Sequence, residues 1–382
     1  MINLPDSFET FDESKKAGFM ELKEQKEKGK KVVGIFCSYT PVELVMATGA
    51  CFVSLCGSGE ESIAVAETRL PKNLCPLVKS SYGVALSGSC PYFYFSDAIL
   101  AETTCDGKKK MYELLGELKP VHVMHLPQMQ NDPHSLSLWT AEMHRAKEFL
   151  EKQLSVTITD DALRTAIKER NRVRRSLLRL YETARMMPSP VSGYELSTIV
   201  DATDFHFTDD DLVEILENKI AEITSRYKPQ DPSQPIRPRI LITGCPIGGA
   251  REKVLQTIEE LGADVVAFDS CSGPRTQREL VDETKDPYEA LAEKYMRINC
   301  SVMTPNTSRF EELGQMADDY HVDGVVEVVL HACHTFAVES YYTRKYISEE
   351  KKLPYTYIET DYSTTDTAQI RTRLGAFLEM LQ

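Results

Sequence analysis

Short apolar runs that alternate with helical segments, and that are often followed by a cysteine, constrain the fold of this sequence more than any other feature. The first half contains the runs Val32 to Phe36, Cys51 to Leu55 and Val121 to Met124. The second half contains RPRILITG, ADVVAFDS and GVVEVVLHA, with the amphipathic segment GGAREKVLQTIEELG after the first of them. Strands that alternate with helices predict a parallel sheet covered by helices. We therefore predict an α/β fold with two doubly wound, Rossmann-like parallel-sheet domains.

The two halves are separated by a segment of different character. From about Ser137 to Tyr227 the apolar residues recur at helical spacing, with almost no strand signal. The segment KPQDPSQPIRP that follows contains four prolines, which favour a stiff, extended linker. These changes predict an N-terminal α/β domain over residues 1–136, a helical bridge over 137–228 and a C-terminal α/β domain over 229–382.

Charge and hydropathy exclude several classes of partner. The chain carries 44 basic and 58 acidic residues, a net charge of −14, whereas binding to nucleic acids needs a basic face. No apolar run approaches the roughly 18–20 residues of a membrane span, and the N-terminus lacks the pattern of a signal peptide. We expect a soluble, cytoplasmic protein with no nucleic-acid or membrane partner.

The chain contains ten cysteines. Because the cytoplasm is reducing, we expect them to be buried thiols, redox thiols or metal ligands rather than disulfides. Most of them follow predicted strands, at the sheet edge where α/β proteins bind ligands. Cys51, at the start of a strand, is the best candidate for an ordinary buried thiol, and Cys90 is ambiguous. The remaining positions at predicted sheet edges are Cys37, Cys56, Cys75, Cys105, Cys245, Cys271, Cys300 and Cys333.

The spacing of these cysteines favours metal or cluster ligation without identifying the metal. Structural zinc sites use close cysteine pairs of the C-x-x-C type, and the chain has none. Long separations, with cysteines from different loops, suit an iron–sulfur cluster held between domains, although the common ferredoxin spacing is also absent. Soft thiolates select iron–sulfur clusters, zinc or Cu(I).

Two histidines and a glutamate near the last cysteine are candidate catalytic residues. His331 and His334 flank Cys333, and Glu339 follows in the same segment. The histidines could donate hydrogen bonds to cluster sulfurs or to a substrate, or they could equally be residues at a helix start that contact only water. No Ser-His-Asp or Cys-His hydrolase arrangement can be argued from the sequence.

The cysteine-bearing segments resemble those of the 2-hydroxyacyl-CoA dehydratase superfamily, and within it the double-cubane cluster protein branch. Matching strings run from about residue 30 to the C-terminus and leave mainly the helical middle unmatched. They include FCSYTPVELVMATGA, LPKNLCPLVKSSYG, ETTCDGKKKMYELL, TGCPIGGAREKV, INCSVMTPNTSRF, DGVVEVVLHACHTFAVES and IETDYS.

In dehydratase subunits, the resemblance implies one [4Fe-4S] cluster at positions that match Cys75, Cys105 and Cys333. A separate ATP-hydrolysing iron–sulfur activator protein then supplies one low-potential electron. The double-cubane branch carries two such units joined by a sulfide, [8Fe-9S], which needs six thiolates. We expect these ligands to be Cys56, Cys75, Cys105, Cys271, Cys300 and Cys333, with Cys37, Cys90 and Cys245 as possible replacements.

The function that follows is an iron–sulfur, low-potential reductase that receives electrons from the activator and acts on a small-molecule or acyl-CoA substrate as a homodimer. Two alternatives remain open. One is a subunit of a 2-hydroxyacyl-CoA dehydratase, a lyase that removes water through radical chemistry. The other is an iron–sulfur electron carrier without catalytic activity.

Overall fold

The computed structural model describes residues 13–203, 209–231, 233, 235–271 and 273–381, which contain two four-stranded sheets with all strands parallel. The first sheet consists of β1 (Val32–Ile35), β2 (Cys51–Ser54), β3 (Ala98–Glu102) and β4 (Val121–Met124). The second consists of β5 (Arg239–Gly244), β6 (Asp264–Asp269), β7 (Gly324–Leu330) and β8 (Tyr355–Thr360). The predicted α/β fold with two doubly wound domains is confirmed.

Both sheets have the same strand order, β2-β1-β3-β4 in the first and β6-β5-β7-β8 in the second. The order therefore reverses between β1 and β3 and again between β5 and β7. In sheets of this kind, the loops beyond the carboxyl ends of the two strands at the reversal diverge and leave a crevice, which is where ligands bind. Each domain consequently presents one such crevice.

Helices cover the two sheets, and, among the described residues, four further helices form the segment of the chain between them. Those of the N-terminal part are α1 (Glu13–Glu27), α2 (Val42–Met46), α3 (Ile63–Ala66), α4 (Pro76–Leu86), α5 (Pro91–Phe95) and α6 (Asp106–Leu115). The middle segment contains α7 (Ser135–Leu154), α8 (Asp160–Glu182), α9 (Gly193–Thr203) and α10 (Asp209–Ser225). The C-terminal part contains α11 (Thr257–Glu260), α12 (Pro287–Met296), α13 (Thr307–Asp319), α14 (His334–Lys345) and α15 (Thr367–Glu379). The domain boundaries at residues 136 and 228 stay a prediction.

One apolar core joins the two domains and the middle helices. It combines Val33 and Leu100 of the first sheet with Val329 and Leu330 of the second, and it includes Trp139 of α7. Two further cores belong to the separate sheets. Because the shared core lies between the domains, side chains beyond the ends of strands from both sheets are brought together in a place that excludes water.

Several sequence-based expectations need correction. The run MRIN before Cys300 is not a strand, because α12 continues to Met296 and the following residues form a loop. The single helix expected over GGAREKVLQTIEELG is instead a 3₁₀ turn, Gly248–Ala250, a π-helical turn, Glu252–Gln256, and the short α11. No helix within the described parts of the chain is long and apolar enough to span a membrane.

Candidate functional site

The cysteines of the two domains lie at corresponding places in the two sheets. In each domain one cysteine follows the first strand, a second lies two residues beyond the second strand, and a third lies three residues beyond the third strand. These pairs are Cys37 with Cys245, Cys56 with Cys271, and Cys105 with Cys333. The other two predicted ligands, Cys75 and Cys300, lie between the second and third strands of their domains. Both crevices are therefore lined by thiols.

Three thiols from the two domains are neighbours, and we call Cys75, Cys245 and Cys333 the Cys333 group. The thiol of Cys333 lies close enough to those of Cys75 and Cys245 to interact with both. The Cys245 sulfur also accepts a hydrogen bond from the backbone N–H of Leu330 at 2.9 Å. Contact with the Cys333 thiol, followed by burial, raises the pKa of Cys75. Since Cys75 belongs to the first sheet's domain, this group spans both domains.

A second group, which we call the Cys300 group, consists of Cys37, Cys271 and Cys300. Cys37 lies close enough to Cys271 and Cys300 for their charges to interact. Burial is the largest cause that raises the pKa values of Cys37 and Cys300. A coordinated metal cation reverses such a shift, because a thiol that ligates a metal is deprotonated. This group also draws thiols from both domains.

Cys75, Cys105 and Cys333 share a further property, because each immediately precedes the first residue of a helix. The N-terminal ends of α4, α6 and α14, which carry a partial positive charge, therefore lie next to these three cysteines. All three side chains pack against the core shared by the domains. Cys90 also precedes a helix, but its sulfur accepts from the N–H of Phe93 at 3.4 Å and packs against the core of the first sheet.

A half-buried lysine lies among the thiols of the N-terminal domain. The Nζ atom of Lys108 donates to the carbonyl oxygen of Phe36 at 2.8 Å and lies 3.9 Å from the sulfur of Cys56. Its charge also interacts with Cys37 and Cys105. Cys56 itself is exposed, and its thiol donates to the same carbonyl oxygen at 3.0 Å. The ammonium group of Lys108 would thus offset the negative charge of thiolates at these three cysteines.

Two buried arginines lie beside the Cys300 group. Arg275 makes three hydrogen bonds to Asp269, at 2.8–2.9 Å, and its charge interacts with Cys271 and Cys300. Arg309 donates to Asp269 at 3.2 Å and forms an ion pair with Glu339. Burial alone would raise the pKa of Asp269, but the two arginines outweigh it and hold that pKa well below its usual range. This network fixes both guanidinium groups in place.

Several buried donors near the thiols have no hydrogen-bond partner among the described residues, and two of them lie beside the two thiol groups. One is the Nη1 atom of Arg275, next to the Cys300 group. The other is the hydroxyl of Tyr362, whose charge interactions are with Cys75, Cys245 and Cys56. A buried polar atom without a partner is destabilising, and both atoms are donors that call for an acceptor. Inorganic sulfide and metal-bound thiolate are acceptors of that kind.

The three candidate catalytic residues are differently placed. His331 is exposed, and its Nδ1 atom lies 2.9 Å from Oε1 of Glu359. His334 is the first residue of α14 and is also exposed. Glu339 is buried, paired with Arg309, and accepts a hydrogen bond from the Asn306 amide at 2.7 Å. The histidines are thus open to solvent and to ligands, whereas the carboxylate is held inside the protein. Their catalytic roles stay predictions.

Within the described residues, no three histidine, cysteine or carboxylate side chains converge closely enough to ligate a single metal ion. Arg275, Arg309 and Tyr362 were not identified from the sequence as parts of the site. Arg275 lies four residues beyond Cys271, and Tyr362 lies in the string IETDYS, so proximity to a motif was the only available signal.

The family model described as 2-hydroxyglutaryl-CoA dehydratase, D-component, matches residues 37–381. A protein of Escherichia coli (strain K12) named "Putative dehydratase subunit YjiM" is 47% identical over 379 residues, which are 99% of both chains. The (R)-phenyllactyl-CoA dehydratase beta subunit of Clostridium sporogenes is 26% identical over 364 residues, 94% of each chain. The beta subunit of lactoyl-CoA dehydratase of Anaerotignum propionicum is 24% identical over 363 residues, 93% of each chain.

The chain therefore belongs to the 2-hydroxyglutaryl-CoA dehydratase D-component family. The resemblance to the 2-hydroxyacyl-CoA dehydratase superfamily is confirmed, and so is the prediction of an enzyme of that type. The matched region begins at Cys37 and ends after the last helix of the second sheet, so it includes both thiol groups.

Proposed function

We propose that this chain holds two [4Fe-4S] units, as a double cubane, and acts as a low-potential reductase. One unit would be held by Cys75, Cys105 and Cys333, which precede helices, and the other by Cys37, Cys271 and Cys300. Cys37 takes the place expected for Cys56, because it lies with Cys271 and Cys300 whereas Cys56 is exposed. The observation that carries the proposal is that five of these six cysteines, drawn from both domains, belong to or pack against one shared core, with Cys271 near Cys37 and Cys300.

The donor set fits such clusters on chemical grounds. Thiolates are the ligands that iron–sulfur clusters require, and each thiolate of a cubane binds a different iron, so the sulfurs need not converge on one point. The two unpaired donors, Arg275 Nη1 and the Tyr362 hydroxyl, add one hydrogen-bond donor to each group. A histidine-rich or carboxylate-rich site would have favoured zinc or a hard cation instead.

When bound, such clusters supply one-electron transfer at low potential to a substrate that is hard to reduce. The residues of this chain bind and tune them. Cysteine thiolates provide the ligands, the shared apolar core excludes water, and Lys108, Arg275 and Arg309 place positive charge around a negatively charged group. His331 and His334 are exposed beside Cys333, and we propose that they contact a small-molecule or acyl-CoA substrate.

The electron source we propose is a separate ATP-hydrolysing iron–sulfur activator protein. This part rests on the resemblance to the dehydratase superfamily, whose subunits depend on such an activator. The homodimer implied by the double-cubane branch belongs to the same proposal.

Anaerobic purification followed by iron and sulfide analysis tests the proposal. We expect about eight irons per chain, since two [4Fe-4S] units are bound, with the Mössbauer and EPR spectra of such units. Electron transfer is then tested by adding the activator and ATP and following reduction of the clusters. Iron and acid-labile sulfide well below about four per chain would contradict the presence of any cubane.

A subunit of a 2-hydroxyacyl-CoA dehydratase is the second candidate, favoured by the names of relatives such as the (R)-phenyllactyl-CoA dehydratase beta subunit. This candidate predicts a heteromeric partner and about four irons per chain, held at Cys75, Cys105 and Cys333. Conversion of a 2-hydroxyacyl-CoA to the enoyl-CoA in the presence of a partner subunit and activator would support it. The iron content therefore distinguishes the two candidates.

A further inference from the structure

A tyrosine beyond the last strand belongs to the same buried core as the Cys333 group. Tyr362 lies two residues after β8, and its ring packs against the turn at Gly248 and Gly249, where added Cβ atoms would lie 3.4 Å from its Oη and Cδ1 atoms. The absence of side chains at these two glycines also lets the loop at Ser58, two residues after Cys56, pack directly against the turn. A Cβ atom at Gly249 would lie only 2.0 Å from the Ser58 carbonyl oxygen. The tyrosine is thus enclosed by loops of both domains.

The loop that carries Tyr362 is held rigidly. The Nζ atom of Lys253 donates to the Ser363 carbonyl oxygen at 2.6 Å and to the Asp366 carboxylate at 2.7 Å. Asp366 also accepts from the Thr360 hydroxyl at 2.7 Å. These bonds fix the backbone on both sides of Tyr362, so its ring is positioned before any ligand binds.

The hydroxyl of Tyr362 is buried, and it has no hydrogen-bond partner among the described residues. A tyrosine hydroxyl carries its proton at neutral pH and can therefore donate a hydrogen bond. A sulfur acceptor near Cys75 and Cys245 would satisfy it. Hydrogen bonds to cluster sulfurs raise the reduction potential, because they stabilise the additional negative charge of the reduced state.

We propose that the Tyr362 hydroxyl donates a hydrogen bond to a sulfur of the cluster held by Cys75, Cys105 and Cys333, and thereby raises the reduction potential of that cluster. Tyr362 is on this basis a positioning and tuning residue rather than a group that reacts with substrate. The inference rests on the proposed function, since it requires the cluster to be present.

The test compares Tyr362→Phe with the wild type and with Tyr288→Phe, all purified anaerobically with their iron. Tyr288 is a matched control, because its hydroxyl is also buried without a partner in the described chain, yet its ring stacks on His144, with centroids 4.2 Å apart. The charges near Tyr288 are those of Asp160, Glu151 and Asp286 rather than of thiols. Each substitution removes one buried hydroxyl and keeps the ring.

A reductive titration with titanium(III) citrate, followed by EPR, measures the midpoint potential. For Tyr362→Phe we expect a decrease of about tenfold in the equilibrium constant for one-electron reduction, which is ~59 mV to more negative potential. Tyr288→Phe is expected to titrate like the wild type, and all three proteins should bind the same amount of iron. In parallel, ENDOR spectra of the reduced wild type in H₂O and D₂O should show an exchangeable proton that Tyr362→Phe lacks.

Unchanged potential together with an unchanged ENDOR spectrum in iron-replete Tyr362→Phe would overturn the inference and leave the proposed function intact. Loss of iron from Tyr362→Phe alone would also overturn it, because the hydroxyl would then be needed for binding the cluster rather than for its potential. A wild-type protein without iron would refute the proposed function itself, and the role of Tyr362 with it.

Discussion

Cys333→Ala and Cys300→Ala are each expected to lose about half or more of the iron that the wild type binds, because each removes a ligand from one of two [4Fe-4S] units. Cys333 lies near the thiols of Cys75 and Cys245, and Cys300 lies near those of Cys37 and Cys271. The double variant should bind almost none. Iron and acid-labile sulfide per chain, determined after anaerobic purification, measure the effect.

Matched controls come from the two cysteines that pack into the core of the first sheet. Cys51 is buried at the start of β2, and Cys90 contacts Phe93 in the same core. Cys51→Ala and Cys90→Ala are therefore expected to keep the full iron content. If Cys333→Ala kept its iron while folding normally, judged by circular dichroism, the assignment of Cys333 as a ligand would be wrong. Iron loss from Cys90→Ala would place a ligand outside the shared core.

The same series resolves the choice between neighbouring thiols. Cys37→Ala should lose iron if Cys37 is the third ligand beside Cys271 and Cys300. Cys56→Ala should lose iron instead if Cys56 is that ligand. Cys245→Ala is expected to keep most of its iron, because the three cysteines that precede helices already supply one cubane. The protein has more thiols near the core than the six that two cubanes need. The iron content of each variant therefore shows whether the cysteine that was replaced is a ligand.

Much of the fold could be predicted from the sequence because its buried strands are rich in β-branched residues. The runs at β1, β2, β4, β5, β6 and β7 were identified in this way. β3 was missed, since its sequence AILAE consists largely of residues that favour helices, and only burial in the sheet makes it a strand. β8, with the sequence YTYIET, was also missed, although its tyrosine, threonine and isoleucine residues favour a strand; it is a mostly half-buried strand at the edge of the sheet.

The site was predictable only in part, for a geometric reason. Carboxyl ends of parallel strands meet at one edge, so Cys37 and Cys271 could be placed near a crevice from their positions after strands. Which thiols pair across the domains depends on how the two sheets pack, and sequence spacing carries no information on that packing. The unpaired donors on Arg275 and Tyr362 were beyond prediction for the same reason.

A buried ion pair connects the segments that form the site. Glu43 of α2 lies 2.6 Å from the guanidinium of Arg174 of α8, and the hydroxyl of Tyr295 of α12 donates to the Glu43 carboxylate at 2.8 Å. Arg174 also donates to that hydroxyl at 3.1 Å. Burial acts to raise the pKa of Glu43, but Arg174 and then Lys294 outweigh it and lower the pKa. The contact therefore links the N-terminal domain, the middle helices and the helix that leads to Cys300.

Arg174→Met should lower the free energy of unfolding by about 3–5 kcal/mol, because it leaves the Glu43 carboxylate buried without its cation. Arg175→Met is the matched control on the same helix: Arg175 is 51% exposed, its carboxylate partner Glu283 is 3.4 Å away, and its loss should cost about 0–1 kcal/mol. Urea unfolding under anaerobic conditions measures both. Adding Glu43→Gln to Arg174→Met should recover part of the loss, since no buried charge remains at Glu43. Equal midpoints for Arg174→Met and Arg175→Met would show that the ion pair does not hold the three segments together.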